Sequence, residues 1–414
     1  MLPQNLGSET NIKLPFSFII FSLLALTGSQ LVLLFNGQMM TGGGFRVPAI
    51  WSAAHLLILG WALMAAMGSM YQLVPVAFLT KIWNETFGFI QFFITGAGII
   101  LFAAALYWAP RDAMIPGIMT LLGILMFLFQ MVMTLKTQAK PNILSAFVGT
   151  ALICLFLTIS LGITLIYCLK TGTGAYYYQA IFKSHLLMGL TGWFTLLIFG
   201  FSYKMVPMFS LSHGFPMVHA RFVYGFYVSG LVITVSSFFT GQGLLIKAGF
   251  LFMLIGFSIF SWHVSIIIKK RLKKKLDKPF SFSLAAIGFG NIIHLAAFIL
   301  LWSRAFSEFA GPLVYSYILL WIILSITGYL YKIVPFLWWT HKYSKEIGKT
   351  KVPALKDMMN EKIIVPVLSV FIAAVWIIIC SLIVKSVMLF NIGQFAVSLA
   401  FVVIALSIIN VLKK

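Results

Sequence analysis

The stretch WALMAAMGSMYQLVP, residues 61–75, decides the fold because its pattern occurs three times. It returns as WFTLLIFGFSYKMVP at 193–207 and as WIILSITGYLYKIVP at 321–335. Trp61, Gly68, Tyr71, Val74 and Pro75 carry the first copy. The same residue types stand at Trp193, Gly200, Tyr203, Val206 and Pro207, shifted by 132. They stand again at Trp321, Gly328, Tyr331, Val334 and Pro335, shifted by a further 128. A general enrichment of Gly and Trp in apolar helices does not fix five spacings at once. The pattern therefore predicts an internal triplication with a period near four helices.

Each copy lies in a long apolar run. Of the 414 residues 61% are hydrophobic and 9% charged, against about 45–50% and about 25% in soluble domains. Apolar runs fall near 14–36, 48–79, 86–108, 113–135, 142–169, 180–210, 219–240, 245–268, 280–303, 309–338, 363–385 and 388–411. Each is long enough to span a bilayer as a helix. The expected fold is an all-α integral membrane protein forming one transmembrane domain over 1–414. Its twelve helices form three four-helix repeats, at approximately 14–139, 140–271 and 280–411. Units in one orientation predict a pseudo-threefold axis along the membrane normal, with helices 2, 6 and 10 innermost. Inverted-repeat transporters relate their halves differently. The repeat glycines permit close helix approach, and Pro75, Pro207 and Pro335 are expected to end or kink the inner helices.

The net charge of +21 would point to nucleic acid in a soluble chain. In a polytopic membrane protein it reads as loops that set topology, and no nucleic-acid partner is expected. One set of loops holds Lys136, Lys140, the run Lys269-Lys270-Arg271-Leu272-Lys273-Lys274-Lys275, and six lysines over 341–362. The other holds only single charges such as Arg46, Arg111, Lys247 and Arg304. This bias predicts a multi-pass plasma-membrane protein with both termini cytoplasmic. Cys154, Cys168 and Cys380 lie in apolar runs without CxxC spacing and predict no disulfide or metal framework. The acids (Glu9, Glu85, Asp112, Asp277, Glu308, Glu346, Asp357 and Glu361) all lie in tails, loops or span ends. A proton pump or proton symporter usually needs one at mid-membrane. Lys204 and Lys332, near the cytoplasmic ends of spans 6 and 10, are expected to snorkel.

Histidine supplies the remaining chemistry. His213, His219 and His341 read as loop or solvated residues, and His263 as interfacial. His294, within span 9, needs a polar partner, for which Asn291 one turn back is the candidate. His55 and His185 stand apart, each in the outer half of an inner helix; His55 is about eight residues, or ~12 Å, outward of its helix centre. Neutral imidazole is a frequent haem ligand, and an apolar bundle suits a porphyrin. The other reading of each is an imidazole hydrogen-bonded to a neighbouring helix. Under the 132 shift His55 aligns with Leu187, so His185 lies two residues earlier in its repeat. Two residues turn a helix by about 200°, which lets neighbouring inner helices present both rings to the gap between them. The third repeat has Leu313 and Tyr315 at these places.

The segments HLLILGWALMAAMGSMYQLVP from His55 and HLLMGLTGWFTLLIFGFSYKMVPMF from His185 resemble the large subunit of the haem–copper oxidase superfamily. The likeness is to its divergent short branch, which includes haem membrane proteins linked to nitric oxide response. It implies an oxidase-subunit-I-like fold, with haem b on His55 and His185 as the second iron ligand. It implies a role in nitric oxide response or in respiratory electron or haem handling, with a respiratory or redox membrane partner besides the lipid. Span 10 lacks the oxidase His-x-His pair, and span 7 ends in Ser236-Ser237-Phe238-Phe239-Thr240 where copper-ligating histidines would stand. Copper, a catalytic centre and terminal oxidase activity therefore do not carry over. A cofactor-free transporter on the same triplicated scaffold is the alternative reading.

Overall fold

The computed structural model describes residues 10–138, 140–303 and 305–414; Glu9 and Arg304 lie outside them. Backbone in lipid must satisfy its own hydrogen bonds, and long apolar runs do so as helices. Among the described residues, twelve helices are long and apolar enough to cross a membrane. They are α1 Lys13–Gly42, α2 Pro48–Phe78, α3 Glu85–Trp108, α4 Met114–Leu135, α5 Ile143–Thr171 and α6 Tyr178–Ser210. The second half comprises α7 Val218–Thr240, α8 Gly243–Lys269, α9 Lys278–Leu300, α10 Phe306–Glu346, α11 Glu361–Val384 and α12 Val387–Val411. Most ends fall within a few residues of the hydropathy boundaries. The exceptions are α1, which adds a 3-10 segment over Gly37–Gly42, and α10, whose last turns carry Lys342 and Lys345 and escape hydropathy.

Consecutive helices pack side by side, and α12 returns against α1 to close the bundle. The most hydrophobic windows of α2, α6 and α10 are 67%, 89% and 56% buried by the rest of the chain, against 28–50% for the other nine. These three helices therefore form the core. Trp61, Trp193 and Trp321 are its largest fully buried side chains. Each core helix is interrupted by a π-helical stretch, at Leu56–Leu63, Met188–Thr195 and Tyr317–Ile323. Wider turns of this kind re-aim the side chains beside them and concentrate at functional sites. The first begins directly after His55, and the second three residues after His185.

The repeat prolines act as expected in two cases of three. Helices α2 and α6 end one turn beyond Pro75 and Pro207, at Leu79 and Leu211, whose left-handed φ of 54° and 55° stops them. Helix α10 runs two turns past Pro335 to Tyr343 before its closing 3-10 turn. Small residues set the tightest contacts between helices. A Cβ on Gly98 would stand 2.7 Å from the Thr120 backbone nitrogen, drawing α3 against α4. One on Gly230 would stand 2.6 Å from the Met253 backbone nitrogen, drawing α7 against α8.

Twelve crossings return the chain to the end of the bundle where it began, and there the Lys414 carbonyl meets Lys342 and Tyr343. Lys332 reaches out to pair with Asp277, the residue just before α9, and Asp277 also accepts from Lys273 at 2.9 Å. Burial alone would raise the Asp277 carboxyl, but hydrogen bonds from Lys332 and Lys273 outweigh it and hold the group below its ordinary value.

Candidate functional site

Helices α2 and α6 both start at the opposite end of the bundle, and each carries its histidine about two turns in. The two rings meet there. His55 and His185 have centroids 6.4 Å apart with ring planes inclined by 27°. Both line a cavity of about 220 Å³ walled by α2 to α6, with Ile318 contributed by α10. Its aromatic walls are Trp51, Phe102, Tyr178, Phe182, Trp193 and Phe194. Phe102 meets the His55 ring edge-on at 5.2 Å. The opposed registers of the two histidines are what bring both onto one cavity.

Hydrogen bonding orients each ring. His55 Nδ1 lies 2.7 Å from the Trp51 carbonyl oxygen one turn back, and His185 Nδ1 lies 2.9 Å from the Thr158 carbonyl of α5. A carbonyl only accepts, so each Nδ1 carries the proton and each Nε2 keeps its lone pair. No protein group bonds either Nε2 among the described residues. Gly162 makes the His185 contact possible: a Cβ there would stand 3.0 Å from His185 Cε1. The ring thus seats against bare backbone, close enough to reach a carbonyl one turn earlier on α5.

Trp193 lines the cavity and its repeat equivalent Trp61 does not. Tyr315 is not among the lining residues either, and α10 reaches the cavity through Ile318.

Among the other histidines, His294 differs from expectation. The partner of His294 is Tyr227 of α7, whose hydroxyl donates to Nε2 at 3.1 Å, while His294 Nδ1 donates to the Gly290 carbonyl at 2.7 Å. Asn291 instead accepts from Ser258 at 2.9 Å. The Tyr227 hydroxyl lies 3.3 Å from that of Tyr317, which meets Thr195 at 2.6 Å; Thr195 also accepts from the Trp321 indole at 2.9 Å. Thr195 in turn donates to the Leu190 carbonyl, five residues back in the π-helical stretch. This network ties α6, α7, α9 and α10 together with its donors matched to acceptors, so it reads as a structural clasp. His263 is buried by its protein neighbours, with Nδ1 3.3 Å from the Tyr203 hydroxyl and its ring 5.0 Å from that of His219.

Gly162, Thr158 and the Trp51 carbonyl are the parts of the site that sequence reading missed. Backbone acceptors leave no side-chain signal, and the one trace is a glycine inside the apolar run of α5. No protein-family model matches the chain, and no curated protein matches it.

Proposed function

We propose that the chain is a b-type membrane cytochrome on an oxidase-subunit-I-like scaffold, with one haem b held between His55 and His185. The paired imidazoles carry this reading. The two rings stand 6.4 Å apart on one cavity, each with Nδ1 committed to a backbone carbonyl, so His55 and His185 are the residues that would hold a haem iron. Two side chains alone make a poor site for a bare ion, but they suit a metal whose other four ligands come from a porphyrin. The carbonyl-fixed Nδ1 protons are the outer hydrogen bonds that set the tautomer and raise the basicity of a ligating imidazole. The cavity lining is almost wholly apolar, as a porphyrin body requires.

Bound there, haem b supplies reversible one-electron exchange. The protein's part is to keep both rings in place, exclude water with Trp51, Phe102 and Trp193, and hold the site in the outer half of the bundle. Were both imidazoles to hold the haem, electron handling would fit better than oxygen reduction. A role in nitric oxide response would require His185 to let go.

Several features support the threefold scaffold. The π-helical stretches recur at nearly the repeat shifts. A second cavity, of about 60 Å³, is lined by Ala66, Ile198 and Ile326, and by Ser69, Phe201 and Tyr329. Within each trio the positions are related by shifts of 132 and 128, as expected for a central axis. The Lys/Arg bias supports cytoplasmic termini in the plasma membrane. The test is the pyridine haemochrome of the protein purified in mild detergent from haem-replete cells. About one haem b per chain is expected, with reduction by dithionite and no cyanide-sensitive oxygen consumption. Colourless protein would overturn the haem reading, and cyanide-sensitive turnover would overturn its restriction to electron handling.

A further inference from the structure

Arg46 lies at the mouth of the histidine cavity, just before Pro48 opens α2. Its guanidinium carbon sits 4.4 Å from the Phe182 ring centre and 5.6 Å from that of Tyr178. Both rings line the cavity. Phe182 is three residues before His185 and Tyr178 seven, so the guanidinium stands about 5–10 Å outward of the His185 level along α6. Its one polar contact is a long bond from Nη1 to Gln179 Oε1, at 3.4 Å. Among the described residues no carboxylate reaches it: the ion pairs join Asp277 to Lys273 and Lys332, and Glu308 to Lys385. An exposed arginine, its guanidinium over two cavity aromatics and with most of its five donors free, is arranged to receive an anion. The neighbouring cation differs. The Lys183 ammonium lies 5.8 Å over Phe238 of α7 and does not contact Phe182 or Tyr178.

We infer that Arg46 forms a carboxylate-binding rim on this cavity, anchoring the propionate groups of a porphyrin whose apolar body lies between His55 and His185. This inference rests on the haem reading and adds the group that fixes the porphyrin's orientation, acid edge outward. A guanidinium binds carboxylate in a planar, two-point fashion that an ammonium does not reproduce.

The test is titration of detergent-purified protein from haem-deficient cells with haem b and with its dimethyl ester, in which both carboxylates are blocked. The parent should bind haem b tighter than the ester by roughly tenfold or more, the scale of a charge-assisted hydrogen bond. Arg46→Leu should bind the two equally, with ester affinity close to the parent's. Arg46→Lys should recover only part of the preference, and Lys183→Leu should behave as the parent does. A parent that binds ester and haem b equally overturns the rim and leaves the haem reading intact. So does an Arg46→Leu protein that keeps the preference. A parent that binds neither overturns both.

Discussion

His55→Ala protein is expected to purify folded but without haem. His185→Ala is expected to keep a fraction of it in a high-spin, five-coordinate form that takes up carbon monoxide or nitric oxide readily. The asymmetry follows from how each ring is held. His55 is fixed within its own helix, by the Trp51 carbonyl at 2.7 Å and by Phe102 edge-on at 5.2 Å. His185 depends on a second helix, through the Thr158 carbonyl and the bare backbone at Gly162. If haem is held as proposed, either change would remove one of its two protein ligands and leave room for an exogenous gas. Absorption spectra at equal protein concentration, with and without carbon monoxide, read the outcome. Parent-like spectra in both variants would make the histidines ordinary hydrogen-bonded core residues.

Gly230→Leu is expected to abolish folded protein. A Cβ at Gly230 would lie 2.6 Å from the Met253 backbone nitrogen and 2.7 Å from the Gly249 carbonyl oxygen. Backbone cannot move aside as a flexible side chain does, so α7 and α8 must separate. Overpacking of a tight interior costs about 1–3 kcal/mol even where neighbours can adjust, and here the obstacle is main chain. The same substitution at Gly288 is the control, since nothing lies within 4 Å of a Cβ there and the position is exposed on α9. Fluorescence-detected size-exclusion chromatography should show aggregate for Gly230→Leu and a parent-like peak for Gly288→Leu. A monodisperse Gly230→Leu protein would show that the α7–α8 contact does not limit the fold.

The span pattern was legible because the bilayer dictates it: a run of about twenty apolar residues has one stable form in lipid. The end of α10 was hidden because Lys342 and Lys345 break the hydropathy while the backbone stays helical. The π-helical stretches left no trace in composition, since they depend on hydrogen-bond register and not on residue type. In the candidate site, the register offset between His55 and His185 correctly placed the rings on one gap. Their orientation came from backbone carbonyls at Trp51 and Thr158, which any residue could supply. The partner of His294 was misread because a local residue, Asn291, was favoured over Tyr227, 67 positions away in the chain and adjacent only once α7 packs near α9.

The central claim, that His55 and His185 share one iron, is tested most directly by low-temperature electron paramagnetic resonance of the oxidised, purified protein. The account predicts a low-spin ferric signal of the bis-imidazole type, replaced by a high-spin axial signal in His185→Ala. A high-spin signal in the parent, or a low-spin signal that survives in both His55→Ala and His185→Ala, would contradict it.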